Sequence, residues 1–188
     1  MKKGEYLLAI LRSKKTVFSF KDIVLLWGET STNAARVRIN YYVKSGRLHR
    51  IRRGLYAKDK NYDRLELATR IFTPSYVSFE TVLSQQGINF QYYNQIFAAS
   101  YLTREIVCDG QAFSFRKIKD AVLSNRDGIE IKGDRSIAIK ERAFLDTLYI
   151  NKDYHFDSLS NLDWDKVFNL LPMYGNKRMA RKVEELCP

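Results

Sequence analysis

The sequence predicts an α+β protein with two domains, residues 1–60 and residues 61–188. Apolar residues recur at helical spacing through the first 45 residues, whereas five short strand-like segments, separated by turn signals, lie between residues 96 and 139. Residues 1–60 contain 15 Lys and Arg against 4 Asp and Glu, and residues 61–188 contain 17 of each. A basic segment beside a neutral one indicates a module that binds a polyanion, joined to a second folded unit.

The composition excludes several classes of protein. The chain has 188 residues, of which 45% are hydrophobic, so it can bury a core. Cys108 and Cys187 lie far apart and outside any Cys/His cluster, which excludes a zinc finger and a disulfide framework. The N-terminus lacks the pattern of a signal peptide, and no apolar run is long enough to cross a bilayer. We therefore expect a soluble, cytoplasmic protein without metal or cofactor.

The N-terminal segment begins with two predicted helices. Apolar residues at helical spacing predict a first helix over residues 3–12. Ser19 is the expected N-cap of the second helix, because Asp22 stands at its third position and completes a capping box. Gly28 is expected to end that helix, since glycine readily adopts the left-handed conformation found at helix C-termini.

A third helix is expected to start after Thr30 or Ser31 and to end near Ser45. One face is apolar and would pack on the first two helices, whereas another face carries Asn33, Arg36 and Asn40. Arginine can read guanine and asparagine can read adenine in the major groove, so this face suits DNA recognition. The alternative is an ordinary amphipathic helix whose polar face meets water.

A basic hairpin follows this helix and favours the DNA-binding interpretation. Leu48 and Ile51 bracket basic residues, and a turn at Gly54 leads into a second strand. The order of the elements is a helix, a capped helix, a third helix with a polar face, and a basic hairpin. This order predicts a winged helix-turn-helix that binds double-stranded DNA. The expected DNA-binding residues are Ser31, Thr32, Asn33, Arg36, Arg38, Asn40, Arg47, Arg50, Arg52 and Arg53.

The second domain is predicted to contain a mainly antiparallel sheet followed by C-terminal helices. Ser78 is the expected N-cap of a helix that ends at Gly87. The predicted strands are 96–100, 105–108, 112–118, 128–132 and 136–139. The predicted helices are 65–72, 140–149, 163–171 and 176–186.

One group of residues suggests catalysis. Glu130 and Lys132 on a predicted strand, with Asp109 or Asp120 upstream, fit the loose spacing of metal-dependent nucleases, in which two carboxylates hold magnesium and the lysine helps activate water. Such a short pattern also arises on the solvent face of any strand. We therefore expect no enzymatic activity and keep the nuclease as a remote alternative.

The chain resembles the AbiEi family of antitoxins, the regulators of bacterial type IV toxin–antitoxin and phage-defence operons. The likeness spans about residues 5–150, and its three blocks run from Gly46 to Tyr56, from Pro74 to Leu83 with Gly87, and from Ile137 to Tyr149. The resemblance implies a winged-helix repressor that binds operator repeats in its own operon. It also implies that the second domain counters a toxin resembling a nucleotidyltransferase.

Two other functions stay open. The first is a stand-alone winged-helix regulator whose second domain senses a ligand or dimerises. The second is the metal-dependent nuclease. A nucleotidyltransferase gene beside this one would favour the antitoxin over the stand-alone regulator, whereas magnesium-dependent cleavage that is lost on Glu130→Ala would favour the nuclease.

Overall fold

The N-terminal part of the chain combines three helices with three short strands. The structure is a computed structural model that describes residues 4–188. The elements of this part are α1 (Glu5–Arg12), β1 (Val17–Ser19), α2 (Phe20–Trp27), α3 (Thr32–Lys44), β2 (His49–Arg52) and β3 (Leu55–Ala57). The strands form an antiparallel sheet in the order β1-β3-β2, in which β2 and β3 make the wing hairpin. This succession is that of a winged helix-turn-helix, as expected.

Local hydrogen bonds set the ends of α2 and α3. The Ser19 hydroxyl accepts a hydrogen bond from the Asp22 amide at 3.1 Å, and the Asp22 carboxylate accepts one from the Ser19 amide at 2.8 Å. These two bonds are the predicted capping box. Gly28 follows α2 with a φ of 58°, the left-handed conformation expected there. At the start of α3, the Ser31 hydroxyl accepts from the Ala34 amide at 3.3 Å, so Ser31 is the cap.

The sheet of the winged helix lies between two hydrophobic cores. The smaller core joins the three N-terminal helices to one face of this sheet. Its buried members are Ile10, Phe18, Ile23, Trp27, Ala35, Ile39, Tyr42, Leu48 and Tyr56. The other face contributes Val17, Leu55 and Ala57 to the larger core, which fills the rest of the chain. The winged helix therefore packs on the rest of the chain through an apolar surface.

The rest of the chain, the predicted second domain and called so below, contains a six-stranded sheet with helices. Its elements are α4 (Arg64–Ile71), β4 (Ser75–Val77), α5 (Glu80–Gln85), β5 (Gln95–Ser100), β6 (Arg104–Cys108), β7 (Gln111–Lys117), α6 (Asp120–Ser124), β8 (Ile129–Lys132), β9 (Arg135–Ala138), α7 (Lys140–Ile150), α8 (Trp164–Leu170), a short 3₁₀ helix (Leu171–Tyr174) and α9 (Lys177–Leu186). The five strands expected from the sequence are all present, and β4 is additional. Within residues 4–188, no helix has both the length and the apolar character needed to cross a membrane.

The strands of the large sheet pair in both directions. Their order is β6-β7-β5-β4-β9-β8. Three pairs are antiparallel, β6 with β7, β5 with β4, and β9 with β8. Two pairs are parallel, β7 with β5 and β4 with β9. The sheet is therefore antiparallel in the majority of its pairs, and β6 and β8 are its two opposite edges.

The structure corrects the predicted cap of α5. This helix begins at Glu80, its N-cap position is Phe79, and no side chain caps it. The Ser78 hydroxyl instead donates a hydrogen bond to Asp146 at 2.7 Å. The buried Asp146 carboxylate needs hydrogen-bond donors, and this demand from a residue distant in the sequence outweighs the local capping signal.

Asp146 is the centre of a buried polar network beneath α7. Both Asp146 and Arg142 are 0% exposed, and the Arg142 Nε lies 3.5 Å from the Asp146 carboxylate. Hydroxyl groups also donate to this carboxylate, from Ser78 at 2.7 Å, Tyr174 at 2.7 Å and Tyr76 at 3.2 Å. The network therefore ties α7 to β4 and to the 3₁₀ helix.

Glu66 of α4 joins the second domain to the winged helix. Its side chain is only 4% exposed, although it carries a carboxylate. The carboxylate accepts hydrogen bonds from the Thr16 amide at 3.0 Å, the Thr16 hydroxyl at 2.6 Å and the Val17 amide at 3.1 Å. One carboxylate thereby satisfies two backbone groups at the start of β1, which fixes the position of the wing sheet relative to α4.

Candidate nucleic-acid interface

The α3 helix presents its predicted recognition face to solvent. Ala35, Ile39 and Tyr42 are buried against the rest of the winged helix. Asn33, Arg36 and Asn40 lie on the exposed side of the same helix. Because the apolar stripe holds α3 in place, the three polar side chains project from a rigid support toward anything that docks there.

Arg38, also expected to bind DNA, has a different environment. Its guanidinium forms an ion pair with Glu29 at 2.9 Å. The guanidinium carbon also lies 3.6 Å from the centre of the Tyr6 ring, so the side chain is held against α1. The hydrogen bond from Arg38 lowers the pKa of Glu29, which keeps this pair charged. The structure therefore does not bring Arg38 to the face formed by Asn33, Arg36 and Asn40.

The first residues of α3 are exposed beside this face. Ser31 and Thr32 both lie on the surface. The Ser31 oxygen accepts the capping hydrogen bond, but its hydroxyl proton stays free to donate to a phosphate oxygen. The N-terminus of a helix carries a partial positive charge and therefore attracts anions, which suits contact with the DNA backbone.

The wing carries the basic residues that the sequence indicated. Gly54 has a φ of 82° in the tight turn between β2 and β3, a conformation that favours glycine. The exposed arginines of the hairpin and its approach are Arg47, Arg50, Arg52 and Arg53. Among residues 4–188, no carboxylate forms an ion pair with any of these four side chains or with Arg36. The surface therefore offers five guanidinium groups that are free to bind an anion.

The recognition helix and the tip of the wing lie side by side. The Phe20 amide, at the start of α2, donates a hydrogen bond to the Gly54 carbonyl at 3.0 Å. The Arg36 guanidinium carbon lies 5.5 Å from the centre of the Phe20 ring. Phe20 therefore links α3 to the wing tip, and the fold brings Arg36 close to the turn that carries Arg52 and Arg53.

The second domain supports the base of the wing. His49 Nε2 on β2 lies 2.8 Å from the Asp109 carboxylate, and the Tyr62 hydroxyl donates to the same carboxylate at 2.9 Å. The hydrogen bonds from His49 and Tyr62 lower the pKa of Asp109. The rings of His49 and Tyr62 are also stacked, with their centres 6.1 Å apart. These contacts fix β2 against the turn between β6 and β7.

The proposed nuclease residues do not form a site with Asp109. Asp109 follows β6 at one edge of the six-stranded sheet, and Glu130 lies on β8 at the opposite edge. Five strand spacings of ~4.8 Å separate these edges by roughly 24 Å, so one metal ion cannot bind both carboxylates. Lys132 forms an exposed ion pair with Glu130 at 2.8 Å. In the described part of the chain, no three His, Cys, Asp or Glu side chains are grouped to hold a metal ion.

One feature of α3 was not identified from the sequence. Val37 is 71% exposed and Tyr41 is 54% exposed, although both side chains are large and apolar. They follow Asn33 at intervals of four residues, so they lie next to the polar face. This spacing was visible in the sequence, but an apolar residue on a helix is usually assigned to the core.

Comparison with protein families finds a match in the N-terminal part of the chain. Residues 5–57 match the family model described as a transcriptional regulator, AbiEi antitoxin. This match covers α1 to β3, which is the whole winged helix. No curated protein matches the chain. The match confirms the family resemblance in this domain and supports a DNA-binding regulatory role.

Proposed function

We propose that this chain, whose residues 5–57 match the family model of the AbiEi antitoxin transcriptional regulators, is an autorepressor and the antitoxin of a type IV toxin–antitoxin system. The main support for DNA binding is a set of five arginine side chains on α3, the wing and its approach that have no carboxylate partner. An arginine-rich surface of this kind gains free energy by releasing counterions from DNA.

The geometry supports a division of roles within this surface. The major groove is wide enough to admit an α-helix. With α3 in the groove, its exposed residues Asn33, Arg36 and Asn40 would reach base edges. The wing lies beside this helix, where Arg52 and Arg53 would follow the phosphates. Phosphate contacts would set affinity for any duplex, and α3 would set the preference for the operator repeats.

The antitoxin part of the proposal rests on the family. The partner would be a nucleotidyltransferase-like toxin encoded beside this gene, and the second domain would counter it without catalysis. The alternative is a stand-alone winged-helix regulator with a ligand-sensing or dimerising second domain. The contacts of Asp109 with the wing favour this alternative in one respect, because they connect the second domain to the DNA-binding surface.

Replacing Arg36 tests the assignment of base recognition. Arg36→Ala should weaken binding to operator DNA by about 1–3 kcal/mol while reducing binding to random duplexes much less, because a bidentate contact to guanine is lost. The measurement is a titration of both duplexes by fluorescence anisotropy. Arg104→Ala is the matched control, since Arg104 is an exposed arginine on β6, outside the proposed surface. Equal losses on operator and random DNA would contradict the base-reading role.

A growth assay tests the antitoxin role. The toxin from the neighbouring gene is induced, and the full chain is supplied from a separate promoter. We expect the wild-type chain to restore growth, and we expect Arg52→Ala with Arg53→Ala to restore it equally, because the second domain is unchanged. Failure of the wild-type chain would favour the stand-alone regulator. Rescue by the wild type alone would show that neutralisation requires DNA binding.

A further inference from the structure

Val37 lies at the border of the polar face of α3, yet it is apolar and exposed. It lies four residues after Asn33 and three residues before Asn40, so the three side chains are neighbours on the helix surface. Val37 is 71% exposed and belongs to neither hydrophobic core. The fold therefore does not need a branched apolar side chain at this position.

The surroundings of Val37 favour a polyanion rather than another copy of the protein. Val37 borders a shallow groove of about 550 Å³ that is also lined by Ala34, Arg38, Tyr41 and Tyr42. Arg36 and Lys44 are exposed on the same helix, and residues 1–60 carry a net charge of +11. Two such domains would repel each other, whereas a duplex is attracted to this charge.

The chemistry of the three side chains matches that of an A·T pair. An asparagine amide can bond to adenine N6 and N7, and thymine presents its 5-methyl group in the same major groove. A valine methyl group can pack against that thymine methyl and exclude water from both. Asn33 and Asn40 flank Val37, so polar contacts to adenine and an apolar contact to thymine would lie next to each other.

We propose that Val37 reads the 5-methyl group of a thymine in the major groove, at an A·T pair contacted by Asn33 or Asn40. This inference rests on the proposed DNA-binding function and adds a residue that determines its specificity. Each operator repeat would then contain a required thymine, and Arg36, on the side of α3 toward the wing, would read a guanine.

Replacing thymine by deoxyuridine tests the contact, because it removes only the methyl group. The probe is the duplex that the full chain selects from a random library, with each thymine replaced in turn. We expect one replacement in each operator repeat to weaken binding about fourfold, the factor expected for burial of one methyl group. Val37→Ala should lose a similar factor on the unmodified duplex and should no longer respond to that replacement.

Two further variants separate this contact from a structural effect. Val37→Thr retains one γ-methyl group and should keep at least part of the response to deoxyuridine. Leu25→Ala removes an apolar side chain that is 83% exposed on α2, outside the face, and should leave the response unchanged. A Val37→Ala chain that keeps the full response, or a wild-type chain that responds to no replacement, would overturn the inference.

Failure of the underlying function has a different signature. If the full chain selects no sequence and binds random duplexes no better than Arg52→Ala with Arg53→Ala does, the proposed DNA binding itself is wrong. If the chain selects a sequence but Val37→Ala binds it normally, only the inference fails. Sedimentation of the free protein tests whether the groove is a protein interface instead. A change of oligomeric state in Val37→Ala would show that it is, and would overturn the thymine contact.

Discussion

Asp146→Ala is expected to lower the free energy of unfolding by about 3–5 kcal/mol, the largest effect on stability that we predict. The substitution leaves the Arg142 guanidinium charged and buried, with the carbonyls of Val122 at 2.7 Å and Asp127 at 2.6 Å among its remaining partners. It also removes the acceptor for the Ser78 and Tyr174 hydroxyls. A buried charge without a counter-ion costs more than the lost hydrogen bonds alone.

Urea denaturation of the full chain, followed by circular dichroism, measures this loss. Glu105→Ala is the control, because Glu105 is an exposed carboxylate on β6, and its replacement should change stability by less than about 0.5 kcal/mol. Arg142→Met with Asp146→Leu should cost less than Asp146→Ala alone, since no charge is then left unpaired. Equal stability of wild type and Asp146→Ala would mean that the network contributes nothing net.

Arg52→Ala with Arg53→Ala is expected to weaken binding to every duplex by about thirtyfold at 0.15 M salt. Each phosphate contact contributes ~0.9 to the slope of log K against log salt, so losing two contacts should reduce that slope by about 1.8. The loss should be the same on operator and random DNA, because phosphates carry no sequence information. Titrations of both duplexes between 0.05 and 0.2 M salt, roughly the range in which such slopes are measured, provide the comparison.

The control for the wing variant removes the same charge elsewhere. Arg104→Ala with Arg126→Ala takes two exposed arginines from the second domain. Its salt slope should match the wild type within error, apart from a small long-range effect of charge. A wing variant that keeps the wild-type slope would show that Arg52 and Arg53 point into solvent in the complex, and α3 would then bind without the wing.

Elements with local signals were predictable from the sequence. The capping box of Ser19 and Asp22 joins residues three positions apart, so spacing alone identified the start of α2. The strands of the second domain have alternating patterns bounded by turns, and their positions agree within a few residues. β1 and β4 have only three residues each, and they pair with strands far along the chain, Val17 with Ala57 and Ser75 with Ser100. Such short strands have no periodicity to detect.

The sequence by itself determined the charge division, the order of helices and hairpin, and the residue types on α3 and the wing. Only the tertiary structure decided which of these charges are free. Arg36 and Arg38 are two positions apart on one helix, yet Arg38 pairs with Glu29 and packs on Tyr6, while Arg36 lies beside the wing without a carboxylate partner. Interactions within a helical turn follow from spacing, whereas an ion pair between elements depends on how those elements pack, and that packing is a property of the whole chain.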